Sequence, residues 1–547
     1  MLKKSDIQAS SQWEFLPEVT VSPLQSPSQN SRGTPRRFTT RLQKKQAQRY
    51  PTSHRTSTPI SSGALAKKVE RESSFACGRR KPYCPSQLQI SLCLSGCPLN
   101  AVNLVPQSFP FSTRWRNERH RGEKPAASCF NLAARLLPLL LLLILISGCG
   151  EPPRSRGPLR QEAYVWQRSW NTNVLEAVRE RGPVFDSLVI LRSEVTWKDR
   201  TPSIVNIPLA YPALKRTGVR IGLALRIGAF SGPFSKTDGR TLTLIDLARN
   251  AIQEARSNQC LVSELQLDFD CADSKLDGYK KWVQAFREAI QPVPLTITVL
   301  PSWLNESSCK GLLASTDGFV LQVHSLERPK KPDQPFALCE PDQAIQAVEK
   351  AGRFGIPFRV ALPTYGYTFA FETNGAFVGL SAEGPQLQWR KGLNLREVRT
   401  EPAPMAGLVE RWTGDRPGEM LGIIWYRLPV DGEKLNWSWA TLASVKAGRV
   451  PRFLLKAALW MPQANLYEIE LINRGDGDYQ GPVRLTANWK QARLVASDGW
   501  QGFAPVKQGP SQFDLVRTNT VLPAGQRIKA GWLRLDNPSE VTLEHEP

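Results

Sequence analysis

Glu264-Leu265-Gln266-Leu267-Asp268-Phe269-Asp270 is the stretch whose reading decides the fold. Its alternation is strict: Leu265, Leu267 and Phe269 fall on one face of a strand, and Gln266, Asp268 and Asp270 on the other. An ordinary half-buried strand turns its polar side to bulk water. This one lies between two helix-like segments, in a run of alternating strands and helices. Such a run favours a parallel sheet or barrel covered by helices. In a barrel the apolar face meets the helices and the polar face meets the mouth. Two carboxylates there, one strand step or about 7 Å apart, are costly unless a substrate, metal or cation needs them.

The alternation continues on both sides of this strand. Upstream, Tyr164–Trp170 is strand-like before a helix near Asn173–Arg181, Phe185–Val195 is a second strand, and Val219–Phe230 is a third, with a helix over Leu242–Ser257. Downstream come an amphipathic Tyr279–Ile290 and strands at Leu295–Leu304, Gly318–Leu326, Phe358–Phe369 and Leu421–Leu428. Helices at Asp342–Arg353, through Trp412 and at Trp437–Val445 complete the set, with an insertion over 371–400. Eight strand–helix units over about 280 residues match a (β/α)8 TIM-like barrel of the α/β class. The barrel is expected over 164–447. Beyond it, over 448–547, short strands between turn signals such as Asn473-Arg474-Gly475-Asp476-Gly477 predict a small C-terminal β-sandwich, whose exposed aromatics pack or bind glycans.

The charge of +22 on 547 residues is concentrated at one end. Residues 1–149 hold 22 Lys and Arg against 7 Asp and Glu, a net +15, which leaves +7 for the rest. Residues 1–128 are rich in Ser, Pro, Gln and Arg, without a sustained period, and read as a disordered basic extension. No nucleic-acid partner is expected. The gaps between Cys77, Cys84, Cys93 and Cys97 do not form two zinc knuckles.

Arg135 then precedes Leu136–Ile146, an almost pure Leu/Ile run broken by Pro138 and followed by Ser147-Gly148-Cys149. The run is too short to span a bilayer comfortably and suits the core of a signal peptide. Residues 129–149 are therefore expected to be a signal peptide and 150–163 a tether. Because this signal lies so far into the chain, the upstream residues are expected to be absent from the mature protein, with a non-ATG start near Leu132. Ile146-Ser147-Gly148-Cys149 resembles the bacterial lipobox, which implies lipidation of Cys149 and an envelope protein anchored to a membrane, facing the periplasm or exterior. Such a compartment permits disulfides, and Cys309 with Cys339 is the preferred pair.

Several residues are candidates for function. Asp268 and Asp270 read as a general acid with its charge partner, since like charges this close raise one pKa. The alternative is a structural pair satisfied by Arg or backbone donors. Glu194, at the end of the second strand, is a further carboxylate across the mouth, or an ordinary surface Glu. On the sixth strand Gln322 and His324 share one face; His324 is a proton shuttle, a sugar contact or a core histidine. Trp166, Trp303, Tyr365 and Trp425 fall near strand ends, where rings can stack on sugars or simply pack. Two Asp and one His on separated strands form no recognised metal-ligand spacing, so neither metal nor cofactor is expected.

Leu265–Asp270 resembles the fourth strand of family-eighteen chitinases, which ends in an acidic DxDxE-type motif. Leu362-Pro363-Thr364-Tyr365-Gly366-Tyr367 is similar to their seventh strand, Val219–Gly232 to their glycine-bearing third, and Gly422-Ile423-Ile424-Trp425-Tyr426 to their eighth. The resemblance implies that Asp270 holds the proton-donor position, with Asp268 ionised beside it and Trp425 flooring a sugar pocket. This sequence departs from the pattern in three places: Asp270 stands for Glu, Gln266 for an acid, and His324 near the place of a sixth-strand Tyr. Over about Tyr164 to Asp536 the chain also resembles a bacterial lipoprotein family known as domain of unknown function 3142. The expected activity is glycoside-hydrolase-like, cleaving or binding an envelope or environmental polysaccharide, with a non-catalytic binding or scaffold lipoprotein as the alternative.

Overall fold

The computed structural model describes residues 153–198, 201–382 and 389–547. Eight parallel strands close on themselves: β1 (Arg160–Val165), β2 (Ser187–Lys198), β3 (Arg220–Ile227), β4 (Val262–Phe269), β5 (Leu295–Val299), β6 (Gly318–Gln322), β7 (Phe358–Pro363) and β8 (Met420–Tyr426). Each pairs with its neighbour in sequence, and β8 pairs with β1 to close the ring. A helix follows every strand: α1 (Thr172–Arg181), α2 (Tyr211–Arg216), α3 (Gly239–Ser257), α4 (Leu276–Ile290), α5 (Cys309–Leu313), α6 (Pro341–Gly352), α7 (Pro402–Gly414) and α8 (Trp439–Lys446). This is the expected (β/α)8 barrel.

Local chemistry sets the helix starts. The side chains of Asn171, Asp238 and Ser438 accept from the backbone N–H three residues on, at the N-termini of α1, α3 and α8. Pro341 and Pro402 open α6 and α7, where a missing N–H costs nothing. The amphipathic α4 buries Tyr279, Trp282 and Phe286 against β4, with the Phe269 ring 5.0 Å from Tyr279 and 5.5 Å from Trp282. The apolar face of β4 thus meets a helix, as its alternation predicts. Its polar face looks into the barrel.

Three elements differ from the sequence reading. The fifth strand ends at Val299, and Pro301–Asn305 forms a 3-10 turn that carries Trp303. The seventh stops at Pro363. Gly366–Phe371 then joins Phe377–Ser381 and Asn394–Arg399 in a separate antiparallel sheet. Gly366 is required at that junction, because a Cβ there would lie 2.4 Å from the Val398 carbonyl oxygen. Finally, β2 runs past Val195 to Lys198, and Thr201–Asn206 folds back along it.

After α8 the chain forms two four-stranded antiparallel sheets. One has the spatial order 455–463, 466–473, 527–535, 494–499; the other 504–508, 512–522, 479–489, 541–546. Ile469, Leu471, Leu485, Phe513, Leu515 and Leu533 are buried between them, which makes the unit a sandwich. Its turn at Asn473–Asp478 is tied to α8: Ser438 N donates to Asp478 at 2.8 Å, and the Ser444 hydroxyl to Asp476 at 2.7 Å.

The expected Cys309–Cys339 link is not formed. Both are free thiols that pack as small apolar groups in the barrel–helix core, and burial pushes Cys309 up to about 11 and Cys339 up to about 12. The basic extension and the signal sequence with Cys149 lie outside the described residues. Among those described, no helix is long and apolar enough to cross a membrane.

Candidate active site at the barrel mouth

The registers of β2, β3 and β4 place Glu194 beside Arg226, and Arg226 beside Asp268. An acid–base–acid row therefore crosses three adjacent strands. The register of β4 with β5 continues it to Thr298, whose hydroxyl bonds to Asp268 and accepts from Gln266 at 3.0 Å. Asp270 follows the last residue of β4, one strand step toward solvent from Asp268. Both Asp are half-buried, whereas Glu194 is buried.

Charge decides how this row behaves. Burial pushes the Asp268 carboxyl up; Arg226 opposes that, the nearby Asp270 charge adds to it, and the group reaches about 6. Burial works against the Arg226 guanidinium, but Asp268, Asp270 and Glu194 outweigh it and hold the charge. Glu194 is also gripped from above by Arg168, whose Nε and Nη2 donate to its two oxygens at 2.5 and 3.2 Å. The expectation that Asp268 stays ionised beside a protonated Asp270 is thus modified, since the site favours a proton on Asp268 up to near-neutral pH.

Across the mouth stands an aromatic wall centred on Tyr426. Its ring lies 5.5 Å from Trp166, 5.7 Å from Tyr164, 5.3 Å from Tyr365 and 5.4 Å from His324, mostly in tilted or edge-on contact. The Tyr365 hydroxyl reaches His324 Nδ1 at 3.4 Å and the Tyr367 hydroxyl at 3.0 Å, and Tyr367 in turn meets Ser325 at 2.6 Å. Burial pushes His324 down to about 3, so the ring is neutral at physiological pH. Gln322 Nε2 donates to the His324 carbonyl at 3.2 Å and fixes the strand end.

The structure thus brings Asp268, Asp270, Glu194, Trp166, Tyr365, His324 and Gln322 to one end of the barrel. Trp425 and Trp303 are placed elsewhere. Because Ile424 faces the barrel interior, Trp425 faces out; it packs on Trp437 and donates to Gln161 Oε1 at 2.7 Å. Trp303 is fully buried outside the barrel, 6.1 Å from Tyr279. Neither floors the mouth. Sequence reasoning missed Arg226, Thr298, Tyr164 and Tyr426. The signal for Arg226 was a charge inside the otherwise apolar run Ile221–Ile227, and for Tyr426 it was strand parity. Among the described residues no cluster of three His, Cys, Asp or Glu could hold a metal ion.

Residues 232–431, which span β4 to β8, match the family described as domain of unknown function (DUF3142). No curated protein matches the chain. Similar solved structures include the spore cortex-lytic enzyme SleL of Bacillus megaterium QM B1551, at 14% identity and a TM-score of 0.36 over 51% of this chain and 72% of that one. A chitinase from Chromobacterium violaceum matches at 14% identity and 0.37, over 53% and 98%. The GH18 chitinase ChiB of Flavobacterium johnsoniae matches at 14% and 0.34, over 50% and 88%. At these identities and scores the likenesses assign neither a residue nor an activity.

Proposed function

We propose that the barrel mouth is a carbohydrate site in which the Asp268–Asp270 pair supplies acid catalysis to a glycosidic bond. One observation carries this reading: a carboxyl raised to about 6 stands beside a second carboxylate, facing a wall of aromatic rings. Tyr164, Trp166, Tyr365 and His324 are buried and back the half-buried Tyr426, whose ring is the one that offers part of an apolar face to a sugar. Asp268 holds its proton up to about pH 6.

In this mechanism the proton held on Asp268 passes to Asp270, at the solvent end of the pair, which delivers it to the glycosidic oxygen. The bond from that oxygen to the anomeric carbon breaks, and its electron pair leaves with the oxygen. The positive charge on the sugar ring is balanced by the now ionised pair. Water adds to the anomeric carbon and returns its proton to the pair. Arg226 keeps Asp268 oriented, and neutral His324 holds Tyr365 against the ring wall. Positioned acid catalysis contributes about 10²–10⁴-fold, and Asp270→Asn should remove that much turnover while leaving binding nearly intact. A panel of polysaccharides assayed for reducing ends is the test. Unchanged turnover in the variant would sink the assignment.

A second reading is favoured by the arginines. Arg168 on Glu194 and Arg226 between Glu194 and Asp268 leave less free negative charge than a hydrolase needs. In that case the mouth binds sugar without cleaving it, and the panel yields binding with no new reducing ends.

We further propose that the protein is exported and anchored by lipid on Cys149, which places the barrel against envelope or surrounding polysaccharide. The support is the apolar run at 136–146 followed by Ser-Gly-Cys. Cys149→Ala should move the protein from the membrane fraction to the soluble one. A soluble native chain would refute the anchor.

A further inference from the structure

The outer face of the C-terminal sandwich carries an ordered row of side chains that the barrel site does not use. In the sheet of strands 455–463, 466–473, 527–535 and 494–499, Trp460 stands opposite Glu468, Glu468 opposite Trp532, and Trp532 opposite Asp498. One residue comes from each strand. Tyr467, Ile469 and Leu533, the neighbours of this row along their strands, point into the core, so alternation puts Glu468 and Trp532 on the outer surface. Trp460 is 64% exposed and Asp498 is exposed. Trp460 does not belong to the sandwich core, and with Trp532 on the same sheet face it forms a pair of rings at the surface.

The neighbouring groups give this surface its character. Lys529 Nζ donates to Glu468 Oε2 at 2.8 Å and lies 5.5 Å from the centre of the Trp500 ring. The face therefore alternates flat apolar rings with carboxylates. Trp460 and Trp532 are two strands, or about 10 Å, apart.

We propose that this face is a second carbohydrate platform, which holds an extended chain of β-linked pyranose units. Such a sugar presents an apolar C–H face to an indole and a rim of hydroxyl donors to flanking carboxylates. The spacing of the two indoles suits every second ring of an extended chain. With Glu468 paired to Lys529 and Asp498 exposed, the row and its lysine carry a net negative charge, which argues against an anionic lipid surface as the occupant. The platform stands on the sandwich alone and does not require the barrel to be catalytic.

The test uses the full chain with Cys149→Ala, so that lipid does not contribute, and with Asp270→Asn, so that the polymer is not consumed. Retention is measured on insoluble chitin, cellulose and peptidoglycan. Removing an aromatic anchor should weaken retention about tenfold in Trp460→Ala or Trp532→Ala, while Trp460→Phe keeps most of it. Trp460 is exposed, so its variant should fold with an unchanged thermal transition. Absence of retention on all three polymers would overturn the proposal, and so would retention that both Ala variants leave intact. Binding to phosphatidylserine vesicles that Trp460→Ala abolishes, with none to polysaccharide, would also overturn it. In a parallel assay with Asp270 intact, turnover of soluble oligosaccharide by the barrel should be untouched by Trp460→Ala, so failure of the barrel reading and failure of the platform are separable.

Discussion

The barrel holds two acid–arginine–acid clusters, one near each end, and β4 contributes to both. At the N-terminal end, Arg359 donates to both oxygens of Glu264 at 2.6 and 2.7 Å and to Glu162 at 2.5 Å, and Thr296 adds 2.8 Å to Glu264. All three charged side chains are buried. Burial opposes ionisation of Glu264, but Arg359 and Thr296 overcome it and hold the carboxyl below its usual range. At Glu162 burial wins and the carboxyl is raised. Gly222 makes room for the cluster, since a Cβ there would lie 2.9 Å from Glu264 Cγ. At the mouth the same residue types are arranged differently. Asp268 is half-buried, rises to about 6, and has a further carboxylate beside it. The lower cluster spends its charges on one another. The upper one sets its raised carboxyl half-buried at the mouth beside a further carboxylate, and that difference separates a structural ion cluster from a candidate catalytic one.

The largest expected effect lies in the lower cluster. Arg359→Met removes the cation shared by two buried carboxylates and should destabilise the barrel by about 3–5 kcal/mol in urea unfolding at neutral pH. A loss below about 1 kcal/mol would show that water reaches this layer and that the two clusters are not different in kind.

Much of this architecture was legible in the sequence, because alternation and helix period are local. The strict pattern of β4 located both the strand and the face that carries Asp268. Long-range partners were not legible. Arg359 and Glu264 are 95 residues apart, and Arg359 and Glu162 are 197 apart, so only closure of the ring brings them together. Glu264 shares the parity of Gln266 and Asp268, yet nothing local says that it meets an arginine. Parity also explains Trp425: one residue of slip turns a strand side chain to the opposite face, and Tyr426 rather than Trp425 looks inward. Trp303 lies beyond the strand end at Val299, in a 3-10 turn that begins at Pro301.

A middle-sized effect should sharpen the contrast through pH. Asp268 has a folded pKa of about 6, above its unfolded value of about 4. Between these values the folded state binds more protons than the unfolded one, so this group lowers stability as pH rises from about 4 to about 6. Asp268→Asn should flatten that part of the stability–pH curve and shift the limb of the pH–rate profile that it governs. Thr298→Val should raise the Asp268 pKa further, because the lost hydroxyl favours the ionised form. Stability curves of Asp268→Asn and the parent with equal slopes over that window would remove the proton from Asp268.

The smallest expected effect separates contact from consequence at the edge of the mouth. Arg168 grips Glu194 with two hydrogen bonds, but its side chain is 59% exposed while that of Glu194 is 10% exposed. An exposed arginine gains little from such a pair, because water screens the attraction and the side chain loses freedom when it is held. Arg168→Gln should therefore cost less than about 1 kcal/mol in thermal or urea unfolding. Glu194 keeps Arg226 beside it in the row, so its charge is not stranded by the loss. Glu194→Gln should weaken the hold on Arg226 and shift the Asp268 titration downward, because one of the charges that raise it is gone. If Arg168→Gln instead destabilised the fold as strongly as Arg359→Met, the mouth would be a second closed ion cluster, and the binding-only reading of the barrel would take precedence.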